Sequence, residues 1–163
     1  MMKYIKLFVL ILILVKSPVK TYSKYSSSIP LTSGTQIASF VFLSDSNTEI
    51  PIELDENLYP GCTKEFNFNV KNFNASESSE VNLNYTLKIN RTNNLPIELK
   101  LYKNDNLVLS GSEKELQNNY LEKDVNTTDS YKLVITWDYN LKDSKYAGEI
   151  DTISINIIAE QQD

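Results

Sequence analysis

Tyr59-Pro60-Gly61-Cys62-Thr63-Lys64-Glu65-Phe66-Asn67-Phe68-Asn69-Val70-Lys71, followed ten residues later by Val81-Asn82-Leu83-Asn84-Tyr85-Thr86-Leu87-Lys88-Ile89, decides the fold. In the first run Phe66, Phe68 and Val70 alternate with Glu65, Asn67, Asn69 and Lys71. In the second, Val81, Leu83, Tyr85, Leu87 and Ile89 alternate with Asn82, Asn84, Thr86 and Lys88. A period of two places apolar side chains on one face of a strand and polar ones on the other, so both runs are half-buried β-strands, the first entered from a Pro-Gly turn. Between them, Asn72 to Glu80 is built from Asn, Ala, Ser and Glu with one Phe, the composition of a surface connection. Two strands alone leave their apolar face wet, and the rest of the chain must supply a second layer.

Toward the C-terminus, Asn90 to Pro96 interrupts the pattern and Ile97, Leu99 and Leu101 resume it. Leu107 to Leu109, beyond a Lys103-Asn104-Asp105-Asn106 turn, is its hairpin partner. Ser112-Glu113-Lys114-Glu115 has the spacing of a capping box, with Leu116 and Tyr120 four apart. That predicts a short helical turn, with an irregular loop as the alternative. Tyr131, Leu133, Ile135, Trp137 and Tyr139 alternate along one closing strand, and Ile153, Ile155, Ile157 and Ala159 along the other. Toward the N-terminus, Gln36 to Leu43 is a strand with Ala38, Phe40 and Phe42 on one side and Ile37, Ser39, Val41 and Leu43 on the other. Apolar residues on both faces mean that it is covered on both sides or that another molecule covers it. Thr48 to Leu54 forms a further short strand, which Pro51, lacking an N–H, confines to an edge.

Seven to eight short strands with turn-rich connections and at most one short helical turn specify an all-β fold, an antiparallel β-sandwich. Its expected core is Phe66, Phe68, Val70, Val81, Leu83, Tyr85, Leu87, Leu133, Ile135, Trp137, Ile153 and Ile155. Trp137 is taken as a core residue rather than a ligand-stacking one.

Met1 to Ser23 stands apart from this domain. Lys3 and Lys6 precede an apolar run from Leu7 to Val15, followed by Lys16, Ser17, Pro18 and Lys20. Such a run is too short for a bilayer span, which needs roughly 20 apolar residues, and matches a secretory signal peptide. Thr21-Tyr22-Ser23 offers small residues for cleavage between Ser23 and Lys24; the alternative is an uncleaved anchor. The expected organisation is a signal peptide over 1–23, a flexible Ser-rich arm over 24–35 and the sandwich domain over 36–163. The chain closes on Glu160-Gln161-Gln162-Asp163 without a sorting motif or apolar tail, so no stable membrane anchor is expected.

The 163-residue chain carries 16 basic and 21 acidic residues. Losing Lys3, Lys6, Lys16 and Lys20 with the leader leaves 12 against 21, a net charge of about −9 on about 140 residues. That balance argues against nucleic acid and anionic membranes as partners, and it makes self-association easier as carboxylates protonate. The single Cys62 rules out an intramolecular disulfide. A tolerated small residue and a thiol pairing between molecules are its two readings.

The chain has no His, which removes zinc-peptidase motifs, Ser-His-Asp triads and imidazole bases. Its four Gly residues all fall at turns, so no phosphate-cradling loop exists. No catalytic residue, bound cofactor or metal ligand is expected. Calcium remains open through Asp45, Glu49 and Glu53, or through Asp138, Asp143, Glu149 and Asp151.

Four segments taken in order resemble the secreted TasA/camelysin family, whose members are exported with a dedicated SipW-type signal peptidase. They are Thr21-Tyr22-Ser23; Ile37-Ala38-Ser39-Phe40; Tyr59-Pro60-Gly61 with the strand ending Val70-Lys71-Asn72; and Asp151-Thr152-Ile153-Ser154-Ile155 to Ala159-Glu160-Gln161. The resemblance implies a jelly-roll sandwich outside the cell, in the extracellular matrix or on the cell surface. It also implies a biofilm matrix fibre protein whose partners are its own copies or other matrix proteins, with signal peptidase acting during export. In such fibres an N-terminal segment of one subunit completes the sheet of the next, which makes Gln36, Ile37, Ala38, Ser39, Phe40, Val41, Phe42 and Leu43 the candidate donor strand. The alternative is that this segment is the first strand of its own domain. Camelysins are described as surface metalloproteases, an activity that a His-free chain does not support. A non-fibrous, adhesin-like binding module is the remaining alternative.

Overall fold

The computed structural model describes residues 31–34, 37–54 and 58–162. The expected signal peptide, its cleavage site at Ser23 and Lys24, residues 24–30 and Thr35 of the arm, and Gln36 lie outside the described residues.

Among the described residues, ten strands form two five-stranded sheets. They are β1 (Leu31–Thr32), β2 (Ile37–Val41), β3 (Ser46–Glu53), β4 (Thr63–Lys71), β5 (Asn82–Arg91), β6 (Ile97–Lys103), β7 (Asn106–Ser110), β8 (Glu115–Leu121), β9 (Thr128–Trp137) and β10 (Ile153–Gln162). The order is β1-β3-β10-β5-β8 in one sheet and β2-β4-β9-β6-β7 in the other.

The logic of that order is a single long hairpin. From its tip, β6 pairs with β7, β5 with β8, β4 with β9 and β3 with β10, every pair antiparallel. The tip is the two-residue turn Asn104-Asp105, with φ of 48° and 64°, the left-handed pair that matches the twist of flanking strands. Rolled so that successive segments fall into alternate sheets, this hairpin gives the jelly roll that the resemblance implied. β1 and β2 are additions to it. Each lies parallel on the edge left by the roll, β1 on Ile52–Glu53 and β2 on Asn67–Lys71.

The sheets enclose one core. Phe66, Phe68, Val70, Leu83, Tyr85, Leu87, Leu133, Ile135, Trp137, Ile153 and Ile155 are all buried as the alternation predicts, and Val81 packs half-buried at its margin. Pro51 sits on the length of β3 that β1 does not cover, in keeping with an edge position.

Two strands exceed the expected seven to eight. β1 lies within the segment assigned to the arm, and β8 replaces the helical turn expected around Glu115. In β8 a bulge opposite Tyr85–Leu87 carries Asn118 at φ 58°, so the alternation is broken midway and the intact half is too short to register as period two. The helical turn of the described residues is instead a 3-10 turn at Ser144–Tyr146, where the Asp143 side chain accepts the Lys145 N–H.

Candidate functional site

The described part of the segment singled out as a donor strand, Ile37 to Leu43, lies in its own domain. β2 runs beside β4 with Ala38 opposite Phe68 and Phe40 opposite Val70, and the Phe42 N–H donates to Lys71 O at 2.8 Å. Phe40 meets Phe68 edge to face at 6.3 Å between centroids, and Phe42 is 2% exposed. The inward face of the segment is therefore core. Its outward face carries Ile37 and Val41, 59% and 41% exposed, on either side of the exposed Ser39.

The free edge can be read from the pleat. Because the Phe42 N–H points to β4, those of Phe40 and Ala38 do too, and those of Ile37, Ser39 and Val41 point away from it. β2 ends its sheet, so these groups meet no strand among the described residues. The edge has neither a charged residue nor Pro nor a bulge, the features with which natural edges resist further pairing. β7, the opposite edge of the same sheet, carries a bulge against β6, and β3 carries Pro51 with Glu49 and Glu53.

A second constellation lies between the sheets, where alternation brings Tyr85 (β5), Lys103 (β6), Asn119 (β8), and Asp129 and Tyr131 (β9) together. Lys103 Nζ stands 2.8 Å from Asp129 Oδ2 and 3.1 Å from Asn119 Oδ1. The Tyr85 hydroxyl donates to Asp129 Oδ2 at 2.5 Å and touches the Tyr131 hydroxyl at 2.6 Å, while Tyr131 reaches Asn119 Oδ1 at 3.3 Å. The Asn119 amide donates to Tyr85 O and Leu116 O. Aromatic faces wall the cluster: Lys103 Nζ is 5.6 Å and 5.8 Å from the Tyr85 and Tyr131 centroids, and Phe68 stacks on Tyr131 at 5.1 Å. Burial first, then Tyr131 and the bond to Asp129, raises the pKa of Tyr85; burial likewise raises that of Tyr131. Sequence reading missed this cluster. Its one legible signal was Asp129, two residues before Tyr131 and thus on the inward face of β9.

The carboxylates considered for calcium do not converge. Asp45 accepts from Gln161 N, Glu49 from Ser154 Oγ, Asp138 from Asn140, and Asp151 is buried against Arg91. No three of Cys, Asp and Glu among the described residues form a group able to hold a metal. Cys62 is buried, its Sγ accepting the Tyr59 N–H at 3.3 Å, and pairing with a second molecule would require opening that turn. Trp137 is core as expected, with its indole N–H bonded to Leu141 O and its ring edge to face with Tyr146. Beside it lies an apolar groove of about 350 Å³ lined chiefly by Leu54, Leu58, Leu95, Trp137, Tyr146 and Ile150.

The chain matches no family model, and no curated protein is significantly similar to it. No helix among the described residues is long and apolar enough to cross a membrane.

Proposed function

We propose that the protein is a secreted structural component of the extracellular matrix or cell surface, a fibre subunit or an accessory to one, whose copies associate by β-strand addition. The observation that carries this reading is the edge of β2, bare among the described residues: outward N–H groups at Ile37, Ser39 and Val41, flanking apolar side chains, and no charge, Pro or bulge within the strand. Two routes use it. A strand from a second copy can pair along the free side of β2, or β2 itself can leave β4 and lie on the β4 of a neighbour, rebuilding the same parallel ladder without net loss of hydrogen bonds. The second route is the donor-strand arrangement that the resemblance to the TasA/camelysin family implies. A net charge of about −9 keeps copies apart at neutral pH and less so as carboxylates protonate.

Electron microscopy of the chain from Lys24 to Asp163 across falling pH tests the proposal, beside Ser39→Pro. Ser39 is exposed and its N–H faces the free edge, so proline there removes a donor from the edge and none from the β2–β4 ladder. Filaments from the parent chain that vanish in a folded Ser39→Pro protein support edge addition; filaments that persist in it support exchange of β2. A parent chain that stays monomeric at every pH overturns the fibre reading. It would favour a binding module, with the groove beside Trp137 as its recognition surface. Deleting Lys24 to Leu43 is a poorer test because it strips Phe40 and Phe42 from the core.

A further inference from the structure

We propose that Lys103 and Asn119 form an intramolecular isopeptide bond, with Asp129 as the proton carrier. The four requirements of that reaction stand together: an amine, a carboxamide in contact with it, a carboxylate touching the amine, and exclusion of water. Lys103 Nζ is 3.1 Å from Asn119 Oδ1, the oxygen bonded to the carbon it would attack, and 2.8 Å from Asp129 Oδ2. The side chains of Lys103 and Asp129 are 22% and 10% exposed, Asn119 is 6% exposed, and Tyr85, Tyr131 and Phe68 wall the site. Fixed strands hold both reacting groups, which converts an encounter into an intramolecular step.

The step balances without a co-reactant. Asp129 takes a proton from the Lys103 ammonium, and the free amine attacks Cγ of Asn119. The oxygen that gains charge is Oδ1, which already faces the Tyr131 hydroxyl at 3.3 Å, a donor placed for the tetrahedral intermediate. The C–N bond to Nδ2 breaks, the attacking nitrogen gives up a second proton, and ammonia leaves as ammonium with the proton that Asp129 carried. A new amide joins Nζ to Cγ, and the carboxylate is restored. No oxidation state changes.

The product ties β6 in one sheet to β8 in the other, a covalent link across the sandwich in a chain whose single Cys cannot supply one. The inference does not depend on how copies associate. It also explains why a Lys, an Asp and an Asn, each costly to bury, occupy inward positions of three different strands.

Mass spectrometry of the folded chain after trypsin tests it. Acylated Lys103 is not cleaved, so the bond predicts a branched peptide joining residues 101–114 to 115–123, lighter by one ammonia than the two apart. Lys103→Arg, which keeps the charge beside Asp129 but removes the nucleophile, should restore the full mass and a separate 115–123 peptide. Asp129→Asn should abolish or greatly slow the loss of ammonia. Separate peptides and cleavage after Lys103 in the folded parent chain would overturn the proposal. So would loss of ammonia confined to 115–123, which would place the reaction between Asn119 and its own backbone.

Discussion

Arg91 and Asp151 form a buried ion pair at one end of the sandwich, with Arg91 Nη2 3.3 Å from an Asp151 carboxylate whose side chain is wholly inaccessible. The pair holds the 92–96 connection in place. Arg91 donates to Leu95 O and Ile97 O, and Asp151 Oδ1 accepts from Thr92 Oγ1 and the Asn94 N–H. The chain thereby fixes the start of β10 against the end of β5 without any disulfide.

Removing one member should cost more than the pair contributes, because the other is left charged and buried. Asp151→Ala should lower stability by about 3–5 kcal/mol, read as a shift in urea midpoint. Asp151→Asn retains an acceptor for Thr92 and Asn94 and should cost about 1–3 kcal/mol. Equal losses for the two would assign the whole effect to charge and none to the loop bonds. No measurable loss from either would remove the pair from any account of stability.

Asn72 organises a second connection. Its side chain is fully buried, donating to Glu122 O at 2.6 Å and Val125 O at 2.9 Å and accepting the Thr127 N–H at 2.8 Å, so one amide stands in for backbone partners over a six-residue loop. Asn72→Ala leaves two carbonyls and one N–H unpaired, and should destabilise by roughly 1–3 kcal/mol or more. Because the loop lies near the surface, the loss should appear first as faster amide exchange over 122–127, before global unfolding. Unchanged exchange at Thr127 in the variant would contradict this role.

The strands that alternate cleanly were legible from side-chain order alone, and their inward sets became the core except for the half-buried Val81 and Leu99 and for Tyr139, which lies past the end of β9 and is exposed. What failed did so for identifiable reasons. β8 is interrupted by the bulge at Asn118, whose left-handed φ resets the alternation. β1 pairs through only two residues, too few for any pattern. The Lys103–Asp129–Asn119 cluster was hidden because it is assembled from strands distant in sequence. A lysine at the end of β6 looks like any solvated strand terminus until the hairpin is rolled and Lys103 meets Asp129 of β9. The outward Ile37 and Val41 were visible early, but the sequence gives no way to decide whether their own sheet or a neighbour's receives the strand.

The two buried tyrosines set an alkaline limit on stability. Their folded pKa values are raised above the unfolded value of 10.0, chiefly by burial, so the fold favours the neutral phenols. Their contribution is fully present below pH 10 and is lost as the pH rises beyond it, where the unfolded chain releases protons that the folded one retains. Phenolate absorbance should therefore show exposed tyrosines titrating first, and Tyr85 and Tyr131 only in a cooperative step that coincides with loss of β-sheet circular dichroism. Tyr85→Phe should remove one phenol from that step. Smooth titration of every tyrosine while the sheet signal persists would contradict the burial assigned to the pair.

Gly61 joins the turn before β4 to the strand opposite. Its φ of +94° lies in the left-handed region, its N–H donates to Trp137 O at 2.8 Å, and a Cβ built on it would sit 3.3 Å from Cδ2 of Tyr139. Gly148 has a comparable φ of +84° and nothing within 4 Å of the same position. An Ala at either site therefore incurs the left-handed backbone cost of about 1–2 kcal/mol, and only at Gly61 does it add a contact with the Tyr139 ring. Tyr139 is 61% exposed and can swing outward, so the extra cost should be small, below about 1 kcal/mol. A double-mutant cycle of Gly61→Ala with Tyr139→Ala isolates that term. A coupling near zero would show that the ring yields freely and that the Pro60-Gly61 turn requires glycine for its backbone alone.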